Sequence, residues 1–218
     1  FMYFNEDLIL DIRLNELDNF VDKFVIVESI YTHSGEKKGL NFDISKFSKF
    51  SKKIIYITSK DLPANYQKIN SDESEEKNTA KRLLNGIYMD NHQRNKITEG
   101  LVSANDDDLI LLSDIDEIPN LSSIDLSKTS SKILVFNQFF FHYKLNLYLK
   151  GLNFYGTKGC LKRYFKSPQW LRNIKTKKRP FWKFYKPKEP QLIFDGGWHF
   201  SFLKKPKDIA IKIKSYSH

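Results

Sequence analysis

Asp107-Asp108-Leu109-Ile110-Leu111-Leu112-Ser113-Asp114-Ile115-Asp116-Glu117-Ile118-Pro119 is the stretch on which the reading of this chain turns. The apolar run Leu109 to Leu112 makes a short buried strand, and it leads directly into Asp114, Asp116 and Glu117. Carboxylates crowded this closely raise one another's pKa and cost stability unless a cation offsets them. Hard divalent ions such as Mn²⁺ and Mg²⁺ do so, because they prefer carboxylate oxygen and also bind diphosphate oxygens. A capped turn is the plain structural alternative, since Asp and Pro commonly end strands. At the end of a strand, Asp114 and Asp116 are candidate metal ligands, and Asp114 also belongs to the candidate donor-nucleotide contacts.

Upstream, strands alternate with helices. Phe1 to Phe4 reads as a strand end, and Asn5 is placed to cap a helix whose stripe is Leu10, Leu14, Leu17 and Val21. Phe24 to Val27 and Ile54 to Ile57 read as buried strands, and Glu75 to Ala104 as helix in two pieces. This alternation predicts an α/β fold with a mainly parallel central sheet flanked by helices. Ligands of such sheets sit beyond the carboxyl ends of the strands. Phe4, Asn5, Glu6 and Glu28 are therefore candidate nucleotide contacts, with carboxylates able to accept from ribose hydroxyls or a uracil N3–H. Thr32, in the loop after Glu28, joins them, as do Gln93 and Arg94 on the helix. A guanidinium grips phosphate through two parallel hydrogen bonds. A helix cap at Asn5 and a surface role for Arg94 are the structural alternatives.

Downstream, Ile133 to Phe136 and Phe139 to Phe141 read as strands. A late strand, Leu192 to Phe194, leads into Asp195-Gly196-Gly197-Trp198-His199-Phe200. Paired glycines allow close backbone approach to a ligand. Gly197 and Trp198 are candidate contacts to the acceptor or sugar, and His199 is a candidate imidazole ligand of the same metal. A hydrogen-bonded core histidine is the alternative. Asp195, beside the glycines, is the first candidate for a general base and Glu117 the second.

The 218 residues suffice for one large domain, read here as residues 1–120 for the nucleotide and 121–218 for the acceptor. An apolar fraction of 40% excludes a globally disordered chain. The single cysteine, Cys160, excludes an internal disulfide. No apolar run approaches the roughly 20 residues that span a bilayer. The net charge of +10 is local: Lys144 to Pro190 holds 14 Lys and Arg against one acid, Glu189. Such a field attracts phosphates, nucleic acid or an anionic membrane face. Tyr148, Tyr155, Tyr164, Trp170, Phe181, Trp182 and Tyr185 interleave with the basic residues, so binding of single-stranded nucleic acid is an alternative function. It leaves the acidic cluster unexplained, and nucleic acid is not an expected partner. Metal-dependent hydrolysis of a nucleotide-sugar by the same carboxylates is a further alternative.

The order Phe4-Asn5-Glu6, Arg13-Leu14-Asn15-Glu16-Leu17, Phe24-Val25-Ile26-Val27-Glu28, His92-Gln93-Arg94, Asp107 to Pro119 and Gly196-Gly197-Trp198-His199-Phe200-Ser201 resembles glycosyltransferase family 17 over nearly the whole chain. The resemblance implies a GT-A-like fold, a UDP-GlcNAc donor, Mn²⁺ or Mg²⁺ held at Asp114 and Asp116, and inversion at the anomeric carbon. The expected partners are a UDP-sugar and a glycan, glycoprotein or glycolipid acceptor, and the basic aromatic segment could clamp the diphosphate, hold a charged acceptor or rest on an anionic membrane. The resemblance also implies an acceptor-side half that continues past Ser215-Tyr216-Ser217-His218. Animal members carry an N-terminal anchor and act in the Golgi lumen. Without an anchor or lumenal cysteines, the expected location is cytoplasmic or membrane-peripheral in a microbe or virus, and the Golgi lumen if an anchor precedes Phe1.

Overall fold

Phe24-Val25-Ile26-Val27 opens a strand, β1 (Phe24–Ser29), that runs parallel to β2 (Ile54–Ser59) in register from Phe24↔Ile54 to Ser29↔Ser59. Parallel pairing needs a crossover, and the chain between them is long enough, with a 3-10 segment at Ile44–Phe50. Ser74 caps the helix Glu75–Asn95 at the Lys77 amide, and Glu75 and Glu76 sit in the first turn, where the helix dipole favours anions. A 3-10 turn, Lys96–Leu101, continues it, so the helical stretch does come in two pieces. Tyr3, Ile26, Val27, Phe47, Phe50, Met89 and Ile97 form the core here. These elements belong to the smaller of two compact units, which comprises Met2–Glu6, Lys23–Leu101 and Lys204–His218. The computed structural model describes residues 1–125, 129, 131–176, 190–204, 207 and 209.

The larger unit comprises Phe1, Asp7–Asp22 and Val102–Leu203. It contains a helix α1 (Asp7–Leu17), strands β3 (Leu109–Leu112), β4 (Glu117–Pro119), β5 (Leu134–His142) and β6 (Phe154–Leu161), a short helix at Pro168–Arg172, and strands β7 (Gln191–Ile193) and β8 (Gly197–Ser201). The helices at Glu75–Asn95 and Pro168–Arg172 are α2 and α3. The sheet order is β3-β6-β5-β8-β4, with β7 also against β5. β3–β6, β5–β6 and β4–β8 are antiparallel, whereas β5–β7 and β5–β8 are parallel.

The main sheet is thus mixed, which corrects the expectation of a mainly parallel one. β5 and β6 are joined by a short hairpin, and a connection too short for a crossover returns the strand antiparallel. Two further differences follow from buried polar residues. Asn137 and Gln138 read as a break between two strands, yet β5 is continuous, because Gln138 is buried and its Oε1 accepts from the Thr157 amide at 3.2 Å. β6 lies within the basic segment Lys144 to Pro190, whose Pro168, Pro180, Pro187 and Pro190 predict irregular chain. The late strand is two strands, β7 and β8, separated by a turn at Asp195 in the left-handed region (φ 50°). Residues 177–189 of the basic segment, with Phe181, Trp182 and Tyr185, and residues 211–218 lie outside the described residues.

Gly197 has φ 116°, and a Cβ there would sit 2.1 Å from the Ile118 carbonyl oxygen. Gly197→Ala is expected to destabilise the larger unit by about 2–3 kcal/mol, from backbone strain plus a clash with β4 that no side chain can relieve. Chemical denaturation of the purified variant checks it.

Candidate active site

The acidic turn joins β3 to β4 in the larger unit. It closes through the Glu117 amide to the Asp114 carbonyl at 3.1 Å, and the Asp114 amide donates to Glu117 Oε2 at 3.1 Å. Glu117 is fully buried. Arg172, at the end of α3, forks onto it: Nη1 to Oε2 and Nη2 to Oε1, both 2.9 Å. The same Nη2 reaches Asp114 Oδ2 at 2.7 Å. Arg13 of α1 holds the turn by its backbone, donating to the Glu117 carbonyl at 2.6 Å and to Ser113 Oγ at 2.5 Å. The counter-charge that the sequence reading assigned to a metal is therefore supplied to Asp114 and Glu117 by a guanidinium. Burial and the neighbouring Asp114 push the Glu117 carboxyl above its usual range, and Arg172 opposes them. Burial lowers Arg13 to about 10, against the pull of Glu117, Asp116 and Asp114.

Asp116 faces a different group. The antiparallel register pairs Glu117 with His199, and the Phe200 amide donates to the Asp116 carbonyl at 2.9 Å. This brings His199 Nδ1 to 3.8 Å from Asp116 Oδ1. The imidazole is stacked on Phe154 (centroids 4.0 Å apart) and tilted against Phe140 (4.7 Å). A gap of 3.8 Å is too long for a hydrogen bond. It lies within the span of two ligands that each bind one ion at about 2.1 Å. Among the described residues no group of three or more His, Cys, Asp or Glu side chains is arranged to hold a metal by itself. A carboxylate and an imidazole are donor types that divalent metals accept, and an ion held by these two would take its remaining ligands from water or substrate.

Lys158 of β6 lies beneath this assembly. Its ammonium donates to the Arg172 carbonyl and, at 2.8 Å, to that of Ile174, fixing the end of α3 from which Arg172 projects. Burial first, and Arg172 second, lower its pKa from 10.5 to about 8. Between those values the unfolded chain binds the proton that the folded chain releases. The stability of the wild type relative to Lys158→Met is therefore expected to rise as pH increases from about 8 to 10.5. Paired urea titrations across that window test the sign.

The acceptor-side candidates lie along β8. Trp198 is half-buried opposite Ile118, and Gly197 lies opposite Pro119. Asp195 is exposed, its carbonyl accepting from Asn120 Nδ2 at 3.3 Å. The structure does not bring Asp195 beside Asp116: the two sit at opposite ends of the β4–β8 ladder. Glu117 is turned into the protein and committed to Arg172.

In the smaller unit several candidate nucleotide contacts hold their own fold together. Glu28 is fully buried and accepts from Lys38 Nζ (2.7 Å), the Asn41 and Phe42 amides (2.8 and 3.1 Å) and the Tyr56 hydroxyl (2.9 Å). Gln93 donates to the Val27 carbonyl at 3.0 Å, and Arg94 forks onto Asp90 one turn earlier, at 2.5 and 3.0 Å. Glu6 accepts from the Phe4 and Asn5 amides at 2.9 and 3.0 Å and pairs with Lys204 at 3.1 Å. Asn5 lies two residues before α1 and its Oδ1 accepts from Lys204, so the expected cap does not form there. Thr32 Oγ1 accepts from the Glu36 amide at 3.1 Å. The ring of Phe4 has Lys38 at 5.1 Å and Lys204 at 6.0 Å from its centroid. Arg172, Arg13, Lys158 and Lys38 escaped the sequence reading. Arg13 alone carried a signal, as a cation on the otherwise apolar face of α1.

The family model of glycosyltransferase family 17 matches residues 1–218. The chain is also similar to the β-1,4-mannosyl-glycoprotein 4-β-N-acetylglucosaminyltransferases of Homo sapiens, Rattus norvegicus and Mus musculus. Each is 24% identical over 233 residues, a span that takes in 95% of this chain and 40% of the relative. The chain thus spans well under half the length of these curated relatives. No solved structure matches it significantly.

Proposed function

The chain belongs to glycosyltransferase family 17, and from that premise we propose that it transfers a sugar, most specifically GlcNAc from UDP-GlcNAc, to a hydroxyl of a glycan or glycoconjugate with inversion on a GT-A-like scaffold. The observation that carries this reading is the 3.8 Å pairing of Asp116 with His199, a carboxylate and an imidazole within the span of one ion. Asp116 and His199 would hold Mn²⁺ or Mg²⁺, with Asp114 recruited from Arg172. The ion, when bound, stabilises negative charge on the departing diphosphate.

In the proposed step the acceptor oxygen attacks the anomeric carbon, the bond from that carbon to the UDP oxygen breaks, and the hydroxyl proton passes to a carboxylate. Of the two candidates, Asp195 alone is exposed, and it is the proposed base, with the acceptor lying along β8 over Trp198. Glu117 acts as a positioning residue that keeps Arg172 in place. Arg172, once it shares Asp114 less, is placed to meet phosphate charge. Glu6, Glu28, Gln93, Arg94, Asn5 and Thr32 all bond within the smaller unit, so the proposed nucleotide contact there is the Phe4 ring, with Lys38 and Lys204 as its cations.

A donor screen reading UDP release with and without Mn²⁺ tests the proposal. UDP-GlcNAc is expected to give acceptor-dependent release and to raise the melting temperature only when Mn²⁺ is present. Release of free GlcNAc despite good acceptors would show a hydrolase instead.

A further inference from the structure

The loop between β5 and β6 exposes more apolar surface than a solvated turn does. Leu145, Leu147, Leu149 and Leu152 are between 42% and 54% exposed, with Tyr143 and Tyr148 at 50% and 43%. The loop is nonetheless built. Tyr143 turns the chain in the left-handed region (φ 64°), the His142 amide donates to Leu147 at 3.0 Å, and the Leu149 amide donates to Phe140 at 2.9 Å. These bonds lay the segment along the end of β5, and Tyr148 packs against Phe141 and Phe139, with centroids 5.4 and 5.7 Å apart. Leu147 and Leu149 flank Tyr148 and, by the two-residue period of an extended chain, share the other face.

We infer that the hairpin tip, residues 143–152, is a docking surface for an anionic lipid bilayer. The charge decides among occupants. Residues 143–155 carry Lys144 and Lys150 and no acid, and the next acid along the chain is Glu189. Exposed leucines enter the acyl boundary, tyrosines settle at the headgroup level, and lysines beside them meet lipid phosphates. A polar glycan would have no use for four leucines, and a second copy of this chain would set like-charged tips against each other. The inference is independent of the proposed transferase reaction.

Co-sedimentation of the purified chain with phosphatidylserine-rich vesicles, without donor or metal, tests it. The chain is expected to pellet with these vesicles and much less with pure phosphatidylcholine. Lys144→Gln with Lys150→Gln should weaken partitioning by about thirtyfold, two surface lysines' worth, and Leu147→Ser with Leu149→Ser by at least about tenfold. Circular dichroism and melting should match the wild type, and Leu145→Ser serves if the leucine pair fails to fold. Equal pelleting of all variants, no pelleting of the wild type, or a concentration-dependent dimer abolished by the leucine changes without vesicle binding would each overturn the inference.

Discussion

Asp116→Asn is expected to lower kcat/KM by about 10³-fold or more while leaving the fold intact, since an ion that stabilises a leaving diphosphate contributes several kcal/mol. The side chain is 18% exposed, and the change to an amide keeps its size and shape, so the fold is expected to stand. The carbonyl that anchors the turn, accepting from Phe200, is backbone and survives the change. Calorimetry separates the binding loss from a fold defect: Mn²⁺-linked uptake of UDP should vanish while the melting temperature moves by no more than a few degrees. Unchanged Mn²⁺-linked binding would remove Asp116 from the metal site.

Arg172→Met should do the converse and attack stability first. Its removal leaves Glu117 buried without its counter-ion, and stranding one partner of a buried pair costs about 3–5 kcal/mol. For a chain of this size that is roughly a 10 °C fall in melting temperature. The double variant Glu117→Leu/Arg172→Met should recover much of the loss, because apolar replacement of both partners is often neutral. Differential scanning calorimetry of the two singles and the double gives the coupling directly. Additive effects would mean that the fork between Arg172 and Glu117 contributes little.

These two residues also mark where sequence reading reached and where it stopped. β1, β2 and β3 were legible because each carries an apolar run within a few neighbouring residues. The acidic turn was legible for the same local reason. Arg172 was not, since it meets Glu117 across 55 positions and stands among many other cations. β6 was hidden by its own chemistry. Gly156 is small because a Cβ would come 2.0 Å from Gln138 Oε1, and Gly159 because one would come 2.8 Å from Leu111. With Lys158 between them, the strand shows none of the apolar alternation that announces a strand. Cys160, read only for the disulfide it cannot form, is buried in β6 and its thiol is pushed up to about 11, away from reactivity. His199 became informative only through register, when β8 set it across from Glu117.

β8 is fastened along both long edges, to β5 on one and to β4 on the other. Adding or deleting one residue within Gly197–Ser201 would rotate His199 to the far face of the sheet and part it from Asp116. In lineages related to this chain, gaps aligned inside β8 should therefore coincide with loss of the imidazole.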